Sequence, residues 1–106
     1  MSDCLFCKIA NGLINADKVF EDQDSLVFRD IQPKSPTHLL IIPKKHIASV
    51  IEVENEDQDL MGYLLLVAKN VAKDLGLEGY KLQINVGEHG GQEVFHLHIH
   101  LLSKFS

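Results

Sequence analysis

Positive charge is scarce in this chain. Ten Lys and Arg stand against fifteen Asp and Glu, a formal net charge of −5 over 106 residues. That deficit argues against a protein that wraps nucleic acid, which normally presents a basic face. A single nucleotide is still compatible, because it needs only local cations or N–H donors. Long apolar runs are missing too. None reaches the ~18 residues of a membrane span, so no membrane partner is expected. Met1-Ser2-Asp3-Cys4 lacks the basic start and apolar stretch of a secretion signal, which predicts a cytoplasmic protein. Cysteine is limited to Cys4 and Cys7, and in a cytoplasmic chain such a pair is seldom a structural disulfide. Repeats, low-complexity stretches and linkers are absent. The length leaves no room for a second domain, so residues 1–106 are expected to form one. What is present is an ordinary globular balance, 45% hydrophobic and 24% charged. A domain of this size buries only about two-thirds of its unfolded surface. A metal, a dimer partner or both are expected to add stability.

Local patterns place the elements. Asp3 is positioned to cap a short helix through Asn11, stopped by Gly12, with Phe6 and Ile9 on one face. Ser25 to Asp30 reads as a strand. Ile31 to Pro36 is a turn, because its two prolines forbid regular pairing. Thr37 to Pro43 is a second, strongly apolar strand. The clearest helix runs from Glu56 to Leu75, with Leu60, Leu64, Ala68, Val71, Ala72 and Leu75 on one stripe. Asn55 with Gln58 forms a candidate capping box, and Gly76 is placed as the stop. Tyr80 to Val86 reads as a strand, residues 87–92 as a glycine loop, and Glu93 to Leu102 as the last strand. Strands linked by turns around one long helix predict an antiparallel sheet in an α+β domain.

His96-Leu97-His98-Ile99-His100-Leu101-Leu102 is the most informative segment. Strand side chains alternate faces, so the three histidines share one face, spaced ~6.6 Å apart at each step. The leucines and Ile99 share the other, core face. A polar outer face that merely happens to hold three of the six histidines is a poor account of this alternation. Two chemical readings remain. Histidines at i and i+2 can ligate zinc, given a third ligand nearby. Neutral imidazole is also a nucleophile that titrates near pH 7 and can donate to phosphate oxygens. Gly90-Gly91, just upstream, favours the second, because glycine turns let backbone N–H groups approach an anion.

Cys4-Leu5-Phe6-Cys7 has three readings of its own. A thioredoxin-like redox pair belongs beside a βαβ pattern, which is absent. Two small buried residues are the plainest alternative. Half of a zinc site, completed by distant histidines, is the third.

These residues together resemble the histidine-triad (HIT) family, and specifically its nucleotide phosphoramidase branch. The triad segment matches the family's His-φ-His-φ-His-φ-φ pattern. Phe28-Arg29-Asp30-Ile31, Pro36-Thr37-His38, Ile42-Pro43-Lys44-Lys45-His46, Asn85 and Gly90-Gly91-Gln92 extend the likeness over nearly the whole chain. The resemblance implies the HIT fold: α+β, an antiparallel five-stranded sheet, one long helix and a short N-terminal helix. It implies hydrolysis of purine nucleoside phosphoramidates, of the adenosine 5′-monophosphoramidase type. His98 would attack the α-phosphorus and form a nucleotidyl-histidine that water then releases. His100 would hold phosphate oxygens, and His38 would fix the tautomer of His98. Asn85, Gly91, Gln92 and the Glu93 backbone would contact the phosphate. Asp30 would hold the ribose. Phe6, Ile9, Phe28, Ile31 and Leu40 would wall the base pocket. Bacterial-type relatives also imply a structural Zn2+ on Cys4, Cys7, His46 and His96, with no organic cofactor, and the family implies a homodimer.

Two features depart from the family pattern. Glu93 stands where animal phosphoramidases often have serine, and a carboxylate there would repel phosphate, so only its N–H is carried over. Little chain follows the triad, whereas in related dimers a longer tail reaches the partner's site, which leaves substrate preference open. Within the family, a dinucleoside polyphosphate hydrolase is the alternative. A nucleotidyltransferase is disfavoured, because that branch carries glutamine at the position of His100. Outside enzymology, a nucleotide-binding interaction module with incidental turnover and a zinc-binding structural protein remain. The intact triad disfavours both.

Overall fold

The computed structural model describes residues 4–104. The elements are α1 (Leu5–Ala10), β1 (Lys18–Glu21), β2 (Ser25–Arg29), β3 (Thr37–Pro43), α2 (Gln58–Asp74), β4 (Lys81–Gln83) and β5 (Ile99–Ser103). Three short 3₁₀ turns lie at Val50–Glu52, Asn55–Asp57 and Glu88–Gly90. The strands form one antiparallel sheet in the order β1-β2-β3-β5-β4. This is the expected α+β architecture. Among the described residues no helix is long and apolar enough to cross a membrane.

Period-two alternation in the central strands divides the core into two layers. Val27, Leu39, Ile41, Leu97, Ile99 and Leu101 pack with Leu64, Val67, Ala68, Val71 and Ala72 of α2. Each fully buried aliphatic side chain stabilises by roughly 1.5–3 kcal/mol, so this stripe holds the helix far more than propensity does. On the other face Leu26, Phe28, Leu40 and Ile42 pack with Phe6 and Ile9 of α1. The site lies on this second face.

The helix ends differ from expectation in detail. Glu54 and Asp57 form the capping box, one residue upstream of the predicted Asn55 and Gln58. Asp57 is then the better partner, because it also binds Lys45 Nζ at 2.6 Å. Val67 belongs to the buried stripe and Leu75 does not. Gly76 does stop the helix. It has φ +76°, with its N–H on the Lys73 carbonyl and the Leu77 N–H on the Ala72 carbonyl, a left-handed cap that glycine adopts without strain. The cap of α1 is Cys4, whose Sγ accepts from the Cys7 N–H at 3.3 Å. The predicted capping residue, Asp3, lies outside the described residues.

β1 was not anticipated, because only Val19 in it is even half-buried and its register shifts against β2. β4 is shorter than the predicted strand, and β5 begins at Ile99 rather than Glu93. Proline explains the late start. Continuing the β3–β5 register upstream would set Leu97 opposite Pro43, which has no N–H to donate. Leu97 instead donates to the Ile47 carbonyl at 2.7 Å.

Candidate active site and metal centre

Strand pairing gathers the polar groups. Phe28 pairs with Leu40, Leu40 with His100, and His100 with Gln83, so these four form one row across the sheet. His96 and His98 precede the regular part of β5, yet the alternation persists through them. Leu97, Ile99 and Leu101 are buried in the α2 layer, whereas Phe6 lies edge-on to His96 and His98 on the α1 side.

The hydrogen bonds fix the state of each imidazole. A backbone N–H can only donate, so the Lys34 N–H, 3.1 Å from His38 Nδ1, makes that nitrogen the acceptor. His38 Nε2–H then donates to His100 Nδ1 at 2.9 Å. His100 consequently carries its proton on Nε2, a buried atom without a partner among the described residues. His98 Nδ1–H donates to the His96 carbonyl at 2.7 Å, which leaves the lone pair on Nε2. One expectation is thereby corrected: His38 orients His100, and the tautomer of His98 is set by the His96 carbonyl.

Burial keeps these rings neutral. Desolvation lowers the pKa of His38, and it lowers that of His98 against the opposing His96 hydrogen bond. His100 is pushed down to about 4, first by burial and then by His98 and His38.

A cavity of about 440 Å³ lies between α1 and this face. It is lined by Phe6, Ile9, Phe28 and Leu40 on the apolar side, and by Asp30, Asn85, Gly91, Glu93, His98, His100 and His38 on the polar side. Ile31 also borders it but is 93% exposed, so it forms rim rather than wall. Asp30 Oδ1 accepts the Gln32 N–H at 2.8 Å, and its Oδ2 lies 3.5 Å from His38 Nε2. Asn85 Oδ1 accepts from Gln83 Nε2 at 3.1 Å, which turns the Asn85 amide NH₂ into its free group.

One predicted contact is corrected. Gln92 does not line the cavity. It is buried beneath the glycine loop, where its Oε1 accepts the Gly87 N–H and its Nε2 donates to the Ala48 and Val94 carbonyls. The N–H groups of Gly90, Gly91 and Gln92 are already bonded inside the turn, to Gly87, Glu88 and Gly87 carbonyls. Gly91 lines the cavity, and at φ +86° it also provides the bend of the loop. The sequence reasoning missed Lys34, Gln83, Val94 and Leu102, which also line the cavity. For Gln83 a signal existed, since it lies two residues before Asn85 on a predicted strand.

Beside the cavity, Cys4, Cys7, His46 and His96 converge, with their candidate ligand atoms all within 4.8 Å of one another. His96 Nδ1 lies 3.3 Å from Cys4 Sγ, 3.5 Å from Cys7 Sγ and 3.2 Å from His46 Nδ1. A tetrahedron with metal–ligand bonds of about 2.0–2.3 Å has edges of roughly 3.3–3.8 Å, so the donor set fits a zinc-type ion. His96 Nε2–H donates to the Pro43 carbonyl at 2.8 Å, which aims the Nδ1 lone pair inward. Burial, with Cys4 alongside, pushes the Cys7 thiol up to about 11, a cost that a bound cation would reverse. Asp30, His38 and His100 also cluster, but their imidazole Nδ1 lone pairs are engaged in the relay from Lys34. That group is a hydrogen-bond chain, not a ligand cage.

A backbone fold of this kind and a His-x-His-x-His face beside a cavity define a class of protein, and comparison with known proteins agrees. The family profile described as "Scavenger mRNA decapping enzyme C-term binding" matches residues 3–106. Protein HitA of Neisseria gonorrhoeae is 48% identical over 103 residues, covering 96% of this chain and 96% of its own. A solved HIT family hydrolase from Legionella pneumophila Philadelphia 1 is 54% identical with a TM-score of 0.94, covering 98% of this chain and 95% of that one. A histidine triad nucleotide-binding protein from Candida albicans is 36% identical with a TM-score of 0.88, covering 98% and 76%. The chain belongs to the histidine-triad family.

Proposed function

We propose that this chain is a nucleotide hydrolase that cleaves purine nucleoside phosphoramidates at the α-phosphate through a nucleotidyl-His98 intermediate. The observation that carries this is the pairing of tautomers at one cavity. His98 presents a bare Nε2 lone pair and His100 an unpartnered Nε2–H. In the first step the lone pair attacks phosphorus and forms the His98–phosphorus bond, while the substrate's own phosphorus–nitrogen bond breaks and its nitrogen, protonated from solvent, leaves as the free amine. The charge left on the His98 imidazolium is stabilised by its Nδ1–H bond to the His96 carbonyl. His100 Nε2–H donates to a non-bridging oxygen, and His38 holds His100 in that tautomer. The Asn85 NH₂ and the Glu93 N–H, which has no partner among the described residues, are the remaining phosphate donors. Asp30 receives the ribose hydroxyls, and Phe6, Ile9, Phe28 and Leu40 hold the base. Water then attacks the same phosphorus, releasing the mononucleotide and restoring His98. The hydrolase and nucleotide-binding descriptions of the Legionella and Candida proteins support this reading.

Zinc is the ion proposed for Cys4, Cys7, His46 and His96. When bound it supplies a closed cross-link with no open position for water, tying α1 and its base-pocket residues to the sheet. Free Cys4 and Cys7 suit the reducing cytoplasm. A homodimer is proposed as well. β4 is an edge strand that carries exposed Leu82 and is flanked by exposed Tyr80 and Ile84, and α2 exposes Leu65 and Leu66, surfaces that a second copy would cover.

The test is a substrate panel with purified protein, comparing adenosine phosphoramidates with dinucleoside polyphosphates, repeated with His98→Ala. Wild type should turn over the phosphoramidates, and His98→Ala should lose nearly all of that rate. Near-normal turnover by His98→Ala would refute the assignment.

A further inference from the structure

The cations of this acidic protein are unevenly paired. Lys18, Arg29, Lys44 and Lys45 each face a carboxylate. The ammonium groups of the other six lysines face none among the described residues, and Lys34, Lys81 and Lys104 are three exposed ones of that set. Yet these three gather around a second cavity, of about 820 Å³, in whose lining Glu78 is the one carboxylate among the described residues. Its walls are the Gly76–Lys81 turn after α2, the Lys34-Ser35 turn before β3 and the end of β5 at residues 102–104. Ser103 Oγ donates to the Gly79 carbonyl at 3.1 Å, which ties the first of these walls to the last. Clustered like charges along a concave wall focus potential and draw in counter-ions.

This cavity adjoins the first. Lys34 and Leu102 line both. The backbone N–H of Lys34 is also the start of the relay through His38 to His100. The charge balance of the two cavities differs. In the lining of the first, Asp30 and Glu93 are offset by Arg29 and Lys34. In the second, three lysines stand against Glu78 alone among the described residues.

We propose that the second cavity is a leaving-group subsite for anions: it takes the far end of a substrate whose leaving group carries negative charge, as a carboxylate or as a phosphate chain. The subsite rests on the reading of His98 given above and extends it to substrate class. Amino-acid phosphoramidates with free carboxylates and dinucleoside polyphosphates are the two sources of such charge.

The experiment uses three substrates with the full chain: the adenosine phosphoramidate of aspartate, its dimethyl ester, and diadenosine tetraphosphate. Wild type is compared with Lys81→Ala/Lys104→Ala, neither of which lines the first cavity. In the double variant kcat/KM should fall about tenfold, or about 1.4 kcal/mol, on the anionic substrates and stay within about twofold on the diester. Loss on the free acid alone names carboxylate as the ligand, loss on the tetraphosphate alone names phosphate, and loss on both names a general anion site. Equal loss on all three substrates, or on none, overturns the proposal. Should wild type hydrolyse none of them, the His98 reading fails, and the cavity is then judged by binding alone. Inorganic tripolyphosphate, titrated calorimetrically with saturating adenosine monophosphate present, should bind wild type at least about fivefold tighter than the double variant. No binding, or equal binding, would sink it.

Discussion

His96 and His98 are two residues apart and use opposite ring nitrogens. His96 turns Nδ1 outward because Nε2–H is held by the Pro43 carbonyl, and His98 turns Nε2 outward because Nδ1–H is held by the His96 carbonyl. One backbone acceptor each is enough to suit the first to the metal ligation proposed above and the second to the proposed nucleophilic attack. The shared face of the three histidines was legible from their alternation. Which nitrogen each presents was not, because that depends on carbonyls brought in by tertiary pairing, His96 Nε2 meeting a residue 53 positions away. His98→Ala should therefore leave affinity for adenosine monophosphate within roughly tenfold while abolishing turnover, since the nitrogen–phosphorus bond exists only along the reaction path. Calorimetry beside a rate assay separates the two. His100 makes a second prediction. Its folded pKa, about 4, lies below the ordinary 6.5, so the unfolded chain binds more protons between those values. Stability is full above about 6.5 and declines as pH falls toward 4. Melting temperature should drop over that window, and less steeply in His100→Asn, by on the order of 2 kcal/mol in differential stability. His38, His96 and His98, whose pKa values burial also lowers, are present in both proteins, so the difference between profiles isolates His100. Parallel profiles would contradict the assignment.

The glycine loop and α1 are the two elements that carry the site without doing its chemistry. Gln92 shows how the loop is held, since one side chain satisfies three backbone groups. Gln92→Ala should cost about 1–3 kcal/mol, because buried donors and acceptors lose their partners together. A denaturant midpoint would measure it, and kcat/KM should fall as well, since the Glu93 N–H follows directly on this anchor. An unchanged midpoint would show that the loop is held by something else. Sequence periodicity identified α2, β2 and β3 because each packs a continuous apolar face. It failed at β1, which buries almost nothing, and at the start of β5, where the missing N–H of Pro43 ends the ladder. The role of Gln92 was misread for a related reason: a residue beside a phosphate-type loop looks like a ligand contact until its burial is known. For α1 the expectation is metal dependence. Metal-supplemented protein should carry about one zinc per chain by elemental analysis, and Cys4→Ser or chelation should lower melting temperature more than it alters the chemical step. Metal-free protein with unchanged melting would remove the cross-link from the account.

At the scale of the whole molecule, the small core and the exposed apolar groups on β4 and α2 set the expectation of pairing. Light scattering should give about twice the monomer mass at micromolar concentration, and Leu65→Glu with Leu82→Lys should shift it toward one copy. A wild-type monomer would show that these surfaces serve some other purpose. Turnover is the other property expected of the assembled molecule, because the proposed nucleophile His98 lies just before β5, His38 of the relay lies on β3, and Phe6 and Ile9 of the proposed base pocket lie on α1. The central claim is that water does not displace the leaving group directly and that His98 does so first. Two in-line displacements at one phosphorus retain configuration, whereas one inverts it. Hydrolysis of an adenosine phosphoramidate made chiral at phosphorus with sulfur, run in oxygen-18 water, reads this out. The account predicts overall retention, together with an acid-labile, base-stable nucleotidyl group on His98 in rapid-quench samples. Inversion, with no such adduct, would contradict it.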